Sequence, residues 1–475
     1  MTILDSRRYS AIGAIGCLLG LLSIVGWSDV PPTTATTSWM MSVGNKDYSL
    51  SAHGSVTDTA GAHVEFTSSK GRTSPYGGSI ASVDATPYRG HTVRLSALIS
   101  TTDAAEGAGI WLRSDGPLGA LTFANSQASL IKGSVSSQKR EVAIIVPNSA
   151  RLLAFGTFLY GDGHSAVDRL SLVTSAPVPR DSIVPARIEL AAAIKIVREN
   201  ALHSSLINWN VEVTRLQNEV GKDDWSLDAY PLIRQLLASL KDHHSHLVSR
   251  TDADATHSAT TAILLPKVEQ RPDGVGYIAL PGFNNVERHN VDMYEDSALT
   301  SISHIAGEVR AGWIIDLRND TGGNMWPMLV ALSPFLGDGP LGYFKGSFGV
   351  SKPWEVHAEE RHSEATSDFD KIPMVVITGP DTASAGESVV IALHGRPNTR
   401  FIGMPTAGLT TGNRVFGLPD GAEIALSTSV ELDRFQKEYD GPIQPDSAVA
   451  PKVPSAPGAD NQLAEAERWL LGSTK

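Results

Sequence analysis

Cysteine is almost absent: Cys17 is the only one in 475 residues, which excludes an intramolecular disulfide and a cysteine-rich zinc site. Positive charge is in deficit, with 39 Lys and Arg against 51 Asp and Glu and a net charge of −12. A nucleic-acid-binding protein usually carries a basic footprint, so that class is set aside. No apolar run beyond the N-terminus reads as membrane-spanning. Internal repeats are missing, and low complexity is confined to short Pro-rich linkers. What is present suffices for a folded protein, because 41% hydrophobic and 19% charged residues can bury a core. At roughly 100–200 residues per domain, the length implies two or three domains.

Arg7 and Arg8 precede the apolar stretch 11–27 (AIGAIGCLLGLLSIVGW), a charged n-region and an h-region laid out as in a secretory signal. The stretch is also just long enough for a tilted membrane helix, and Trp27 and Asp29 spoil a small-x-small cleavage site. Residues 1–29 therefore read as a signal peptide or membrane anchor, and 30–37 (VPPTTATT) as a Pro/Thr linker. Cys17 follows Ala14-Ile15-Gly16 in the manner of a lipoprotein box, but the apolar run continues through Leu18–Trp27. It reads as an embedded, unreactive thiol. Either way the chain is expected to be exported, periplasmic or extracellular. A body without cysteine folds in an oxidising compartment without mispairing.

Residues 38–173 show short alternating strands broken by Gly, Asp, Asn and Ser, among them 91–99 (HTVRLSALI), 109–113 (GIWLR), 141–146 (EVAIIV) and 152–159 (LLAFGTFL). Short strands between turn signals, with no amphipathic helix, predict an all-β sandwich. The stretches PYRG, VRLSALI, GIWLRSDG and FGTFLYGDG resemble jelly-roll, carbohydrate-binding-like modules. A shared fold brings no ligand with it, so a spacer or docking role is expected. Residues 174–187 (TSAPVPRDSIVPAR) form a Pro-rich linker, and 188–475 change character. Apolar spacing predicts helices over 189–199, 209–220 and 227–241. From Gly276 the runs GYIALPGF, WIIDLRND and PMVVITGP alternate with helical patterns, which predicts an α/β core.

Three segments carry candidate chemistry. In 373–393 (PMVVITGPDTASAGESVVIAL) an apolar strand reaches Gly379-Pro380, small residues surround Ser384, and a helical pattern opens at Gly386. A serine at a strand-to-helix turn lies near free N–H groups and the helix's positive end. That setting suits a nucleophile whose substrate develops an oxyanion; an N-cap serine is the plainer alternative. In 314–324 (IIDLRNDTGGN) a buried strand ends in a turn with Gly322 and Gly323, whose amides can face a ligand. In 240–247 (LKDHHSHL), His243, His244 and His246 are too close for the i, i+4 spacing of a zincin, and no HExxH accompanies them. A single histidine acting as general base is the preferred reading, with no metal and no other cofactor.

Taken in order, Asp242-His243-His244-Ser245, Asp316-Leu317-Arg318-Asn319-Asp320-Thr321-Gly322-Gly323, Thr382–Glu387 and Gly441-Pro442-Ile443-Gln444-Pro445-Asp446 resemble the C-terminal-processing (tail-specific) and tricorn-like serine peptidases. The family's motifs run Asp-x-His-Ser/Thr, DLR-N-x-GG, T-A-S-A-x-E and Gly-x-x-Pro-Asp; Pro442 stands where the last has glycine. The resemblance spans 189–451. It implies an α/β peptidase domain over 188–475 with a crotonase-like ββα core, a helical N-terminal subdomain, and Ser384 as nucleophile. One branch of the family pairs serine with a lysine roughly 25 positions downstream, but here that position is Leu409 and 403–411 (GMPTAGLTT) holds no lysine. The other branch uses serine, histidine and glutamate. The resemblance then implies His244 as general base and Glu438 as its supporting carboxylate, with Glu431 and Asp433 as alternatives. The amides of Gly322 and Ala385 would supply the oxyanion hole. His243 departs from the serine that tricorn-like members carry before the catalytic histidine. Between His246 and Gly276 there is no room for a PDZ module of roughly 90 residues.

The expected function is hydrolysis of peptide bonds in exported proteins or peptides. The implied partners are a peptide or protein substrate and a membrane tether at the N-terminus, with no nucleic acid. A catalytically inactive binding protein on the same scaffold is the second reading. A glycan-active enzyme is third, and lacks a recognisable carboxylate pair.

Overall fold

The computed structural model describes residues 38–473, apart from 45, 73, 259–261, 348, 350, 357–368, 370–371 and 452–459. The expected signal or anchor and the Pro/Thr linker, residues 1–37, lie outside the described residues. Among the described residues no helix is long and apolar enough to cross a membrane. These residues group into two compact units, one of 38–194 with 210–235, the other of 195–209 with 236–473.

The first unit is built on one nine-stranded sheet. Its main path runs Met40–Val43, Tyr76–Asp84, Leu152–Tyr160, His91–Gly116, His164–Pro177, Ala62–Ser68, Tyr48–His53. The two ends of that path are consecutive in the chain, so the sheet curls until it nearly closes. Sequence pattern separates 91–99 from 109–113, yet the structure runs them as one strand of 26 residues. Its register against Ile131–Ile145 shifts three times between Ile99 and Ala108. Such bulges bend a strand, which lets one strand serve both walls around a single core. Phe66, Leu95, Ile99, Ile110, Leu112, Leu153 and Phe155 fill that core, all fully buried. Between 38 and 173 the buried polar side chains among the described residues are hydroxyls: Ser79, Thr101, Ser114, Ser126, Thr157 and Ser165. Helical residues 210–235 pack with this unit, where Ser149 donates to Asp228 and Arg234 donates to the Ala120 carbonyl at 2.6 Å.

The second unit holds a six-stranded sheet in the order Lys267–Arg271, Val275–Ala279, Gly312–Asp316, Met374–Thr378, Thr399–Gly403, Ser447–Ala448. All neighbours after the first pair are parallel. The central strands are buried on both faces, as a parallel sheet covered on two sides requires. Trp313, Ile315, Met374 and Val376 join one core with the helices Arg288–Ala306, Met325–Ala331 and Ala385–Leu393. Ile314, Val375 and Ile377 point the other way, to Ala466 and Leu470 of the last helix, Asn461–Ser473. The alternation follows from the two-residue period of a strand. A second sheet is centred on the long strand Glu423–Asp433, flanked by His246–Val248, Thr411–Gly417, Gly342–Gly346 and Glu438–Tyr439. The loops that leave the carboxyl ends of Gly312–Asp316 and Met374–Thr378 carry the glycine turn and Ser384, the usual place for a site in an open α/β sheet.

Candidate active site

Ser384 ends the turn between the strand Met374–Thr378 and the helix Ala385–Leu393, with φ 52° and ψ −115°. A non-glycine residue at positive φ is strained and persists only where its surroundings hold it. Here the Glu387 carboxylate does so, accepting the Ser384 N–H at 3.0 Å. The same carboxylate accepts the amides of Gly408 at 2.8 Å and Leu409 at 2.6 Å, and the Thr406 hydroxyl at 2.5 Å. One buried carboxylate thus ties the serine turn to the loop that carries Leu409. Burial pushes the Glu387 carboxyl up, against these hydrogen bonds that hold it down.

The glycine turn packs directly under the serine turn. Asp320 N–H donates to the Leu317 carbonyl at 2.9 Å and its own carbonyl accepts Ala383 N–H at 3.0 Å, while Thr382 Oγ1 also donates to the Leu317 carbonyl at 2.8 Å. A Cβ on Gly322 would lie 2.8 Å from the Ala383 carbonyl oxygen and 2.9 Å from Ser384 Cβ, and its φ is 96°. Glycine is therefore required there on two counts, space and backbone conformation. Gly386 is small for a similar reason, since a Cβ would meet the Asp320 carbonyl oxygen at 2.7 Å.

His244 arrives from the opposite side. Asp242 Oδ1 accepts the amides of His244 at 3.1 Å and Ser245 at 2.8 Å, while Ser245 Oγ donates to Asp242 Oδ2 at 2.7 Å. This is the local hydrogen bonding by which an aspartate stabilises a turn, and it accounts for the Asp-x-His-Ser spacing. His243 at φ 56° completes the turn, after which His246–Val248 pairs with the strand Glu423–Asp433. The three histidines separate: His243 is exposed, His246 Nδ1 bonds the His244 carbonyl at 2.9 Å, and His244 turns inward. Among the described residues no three His, Cys, Asp or Glu side chains are grouped to hold a metal ion.

His244 Nε2 lies 2.9 Å from Ser384 Oγ, and both residues are buried. The structure does not bring Glu438 to this pair. Glu438 sits on the hairpin strand after Glu423–Asp433, its side chain 50% exposed and paired with Lys345. The alternatives are also engaged elsewhere. Glu431 is buried and accepts Ser388 Oγ at 2.9 Å, and Asp433 accepts the Phe435 and Lys437 amides at 2.9 and 3.0 Å and the Tyr439 hydroxyl at 3.1 Å. What meets His244 Nδ1 instead is Thr411 Oγ1 at 2.8 Å. Gly322 is corrected in part as well: its N–H donates to Asp320 Oδ1 at 3.0 Å. The Ala385 amide has no hydrogen-bond partner among the described residues.

Desolvation dominates the electrostatics. Burial pulls the His244 imidazole down to about 3. It pushes the carboxyls of Asp320 and Glu431 up to about 8, against a hydrogen bond from Gly322 N–H in one case and Ser388 in the other. Near neutral pH burial therefore favours the uncharged ring of His244 and the protonated forms of Asp320 and Glu431. Sequence reasoning missed Thr411, Asp320 and the clamp of Glu387. Only the last had a local signal, the S-x-x-E spacing of a capping box from Ser384 to Glu387.

Residues 274–449 match the peptidase family S41. The chain is 26% identical over 264 residues to the nisin-resistance protein of Lactococcus lactis subsp. lactis, covering 54% of this chain and 80% of that one. It is 27% identical over 183 residues to the carboxyl-terminal-processing protease of Synechocystis, covering 38% of this chain and 39% of that one. A lipoprotein from Streptococcus agalactiae shares the fold, with a TM-score of 0.53 at 24% identity over 63% of this chain and 100% of that one.

Proposed function

We propose, for a chain that is a serine peptidase of family S41 through residues 274–449, that Ser384 is the nucleophile and His244 its general base. The observation that carries this reading is the 2.9 Å contact between His244 Nε2 and Ser384 Oγ, the reach a base needs to take a proton. Ser384 Oγ attacks the scissile carbonyl as His244 accepts its proton. The imidazolium then returns that proton to the leaving amine, and water hydrolyses the acyl-enzyme by the same route in reverse roles. The free amide of Ala385 supports its role as an oxyanion donor. Gly323, whose amide also has no partner among the described residues, takes the second position in place of Gly322.

A fluorophosphonate probe tests the assignment. Labelling of Ser384 in the wild type, absent in Ser384→Ala, supports it; a wild type that resists the probe from pH 5 to 9 overturns it. One observation favours the second reading, an inactive binding protein: the imidazolium formed during catalysis would have a hydroxyl and not a carboxylate at Nδ1, and burial, with His246 nearby, disfavours it against a smaller pull from Asp242. The same probe separates the two. For the substrate we propose an exported peptide or protein, with the N-terminal signal or anchor placing the enzyme outside the cytoplasm. The relative named for nisin resistance makes nisin the first substrate to assay.

A further inference from the structure

The contacts behind His244 form a closed circuit. His244 Nδ1 meets Thr411 Oγ1 at 2.8 Å, Thr411 Oγ1 meets Ser427 Oγ at 3.0 Å, and Ser427 Oγ meets Asn413 Oδ1 at 3.0 Å. Asn413 Nδ2 then donates to the backbone carbonyl of His244 itself at 3.2 Å. The strand pairing explains how these residues meet. Asn413 stands opposite Ser427 in the pairing of Thr411–Gly417 with Glu423–Asp433, Thr411 is two residues back on the same face, and the register shifts between Gly412 and Asn413. A bulge of this kind re-aims side chains beside a site.

The circuit has one polarity. A carbonyl oxygen can only accept, so the Asn413 group facing the His244 carbonyl is the NH₂, and the group facing Ser427 is the amide oxygen. Ser427 must therefore donate its proton to Asn413, and its oxygen is left to accept from Thr411. The single Thr411 proton is then committed, so toward the ring Thr411 can only accept. Nδ1 must carry the hydrogen, and Nε2 is left with the lone pair that faces Ser384.

We propose that Thr411, Ser427 and Asn413 are positioning residues that form an uncharged, one-way hydrogen-bond relay fixing His244 in the Nδ1–H tautomer, where a triad would place a carboxylate. The proposal rests on the reading of Ser384 and His244 as nucleophile and base. A hydroxyl relay orients the ring without adding a charge to a dry site, whereas a carboxylate there would carry a desolvation penalty. The neighbouring Glu431 illustrates that penalty, since burial pushes its carboxyl up to about 8.

The test uses the full chain with ¹⁵N-labelled histidine, reading the His244 ring nitrogens by NMR and the rate of fluorophosphonate labelling at Ser384. The wild type should show hydrogen on Nδ1 alone. Thr411→Val keeps the β-branch and removes the hydroxyl. It should slow labelling on the order of 10²-fold, short of the roughly 10⁴-fold seen when a triad's carboxylate is replaced by its amide. Ser427→Ala never touches the ring, but it frees the Thr411 proton to donate to Nδ1. An Nε2–H population should appear, with labelling slowed by about tenfold, the low end for loss of an outer-shell partner. Thr411→Ser should restore the tautomer and most of the rate. If Thr411→Val and Ser427→Ala keep the wild-type tautomer, the relay is overturned, even where labelling slows. If the wild type itself fails to label, the assignment of Ser384 falls, and the ring tautomer still decides the relay.

Discussion

The two units spend burial on different things. In the β-rich unit, between 38 and 173, the buried polar side chains among the described residues are serine and threonine hydroxyls, and an ion pair such as His63 with Asp168 stays near solvent. In the peptidase unit His244, Asp320, Glu387 and Glu431 are all buried, and each bonds Ser384 or a residue within four positions of it. Burying an ionisable group costs far more than burying a hydroxyl that keeps a hydrogen bond. The sheet of residues 38–173 avoids that cost among the described residues, and in the same unit only its helices bury carboxylates, Glu189 and Asp228. Where shifted groups gather in one place, a functional site is the first hypothesis. The contrast teaches that the site is marked by what its core tolerates, independently of any motif.

The largest expected effect tests that contrast at its centre. Ser384→Ala should abolish peptide cleavage and probe labelling while leaving the folded protein intact, because alanine removes one buried oxygen and keeps the turn. His244→Ala should cut turnover by on the order of a thousandfold or more, whereas His243→Ala, on an exposed ring, should change it little. Sequence alone, starting from the ordinary histidine value of about 6.5, places a single pH limb in the range of about 5.5 to 8. Burial pulls His244 down to about 3, so labelling should be flat from about pH 5 to 8 with no histidine limb. A limb near pH 6.5 that vanishes in His244→Ala would show water reaching the ring.

Much of this was legible in the sequence, for reasons that lie in local chemistry. The strand-turn-helix around Ser384, the paired glycines and the aspartate turn before His244 are short motifs whose geometry is set by adjacent residues. The supporting group of His244 was not legible. Counting back from Gly441 leads to Glu438, but residues opposite one another across a hairpin decide which side chain faces inward. Glu431 pairs with the inward Tyr439, and Glu438 points out toward Lys345. Thr411, Asn413 and Ser427 are ordinary strand residues, joined to His244 only by register and a bulge, which no local pattern encodes. In the first unit the pattern located strands but divided one bulged strand in two, because a bulge interrupts the alternation by which strands are read.

A mid-sized effect belongs to the first unit's apolar core. Leu95 is fully buried among aliphatic and aromatic side chains, so Leu95→Ala should destabilise that unit by about 2–5 kcal/mol. The measurement is the denaturant midpoint of that unit's transition, alongside the labelling rate of Ser384 in the folded protein. Loss of stability with unchanged labelling preserves the contrast between the units.

Smaller still is the pH dependence of stability from Glu431. Its carboxyl is raised from 4.5 to about 8 by burial, so the stability it contributes is full below about pH 4.5 and is lost as pH rises toward 8. Glu431→Gln keeps an oxygen to accept from Ser388 and removes the ionisation. Thermal unfolding of the variant should therefore fall less steeply between pH 5 and 8 than that of the wild type. An unchanged slope would mean that Glu431 ionises without penalty.

The smallest effect lies at the solvent-facing pair His63 and Asp168, 2.6 Å apart with Asp168 51% exposed. Burial lowers the His63 imidazole, but hydrogen bonds to Asp168 and Glu65 outweigh it and leave the net shift upward. A histidine raised in the folded state contributes stability that is complete below its unfolded value of about 6.5 and is lost as pH rises through the folded value. Asp168→Asn removes the negative partner, so the part of the slope between about pH 6 and 8 that comes from His63 should shrink. Water screens the pair, and the change should stay under about 1 kcal/mol, measured by unfolding at pH 6 and at pH 8. The effect should be smaller than that of Glu431→Gln although the contact is shorter, because exposure and not distance sets what an ionisable pair contributes. A slope change in Asp168→Asn as large as that in Glu431→Gln would remove the distinction between the two units.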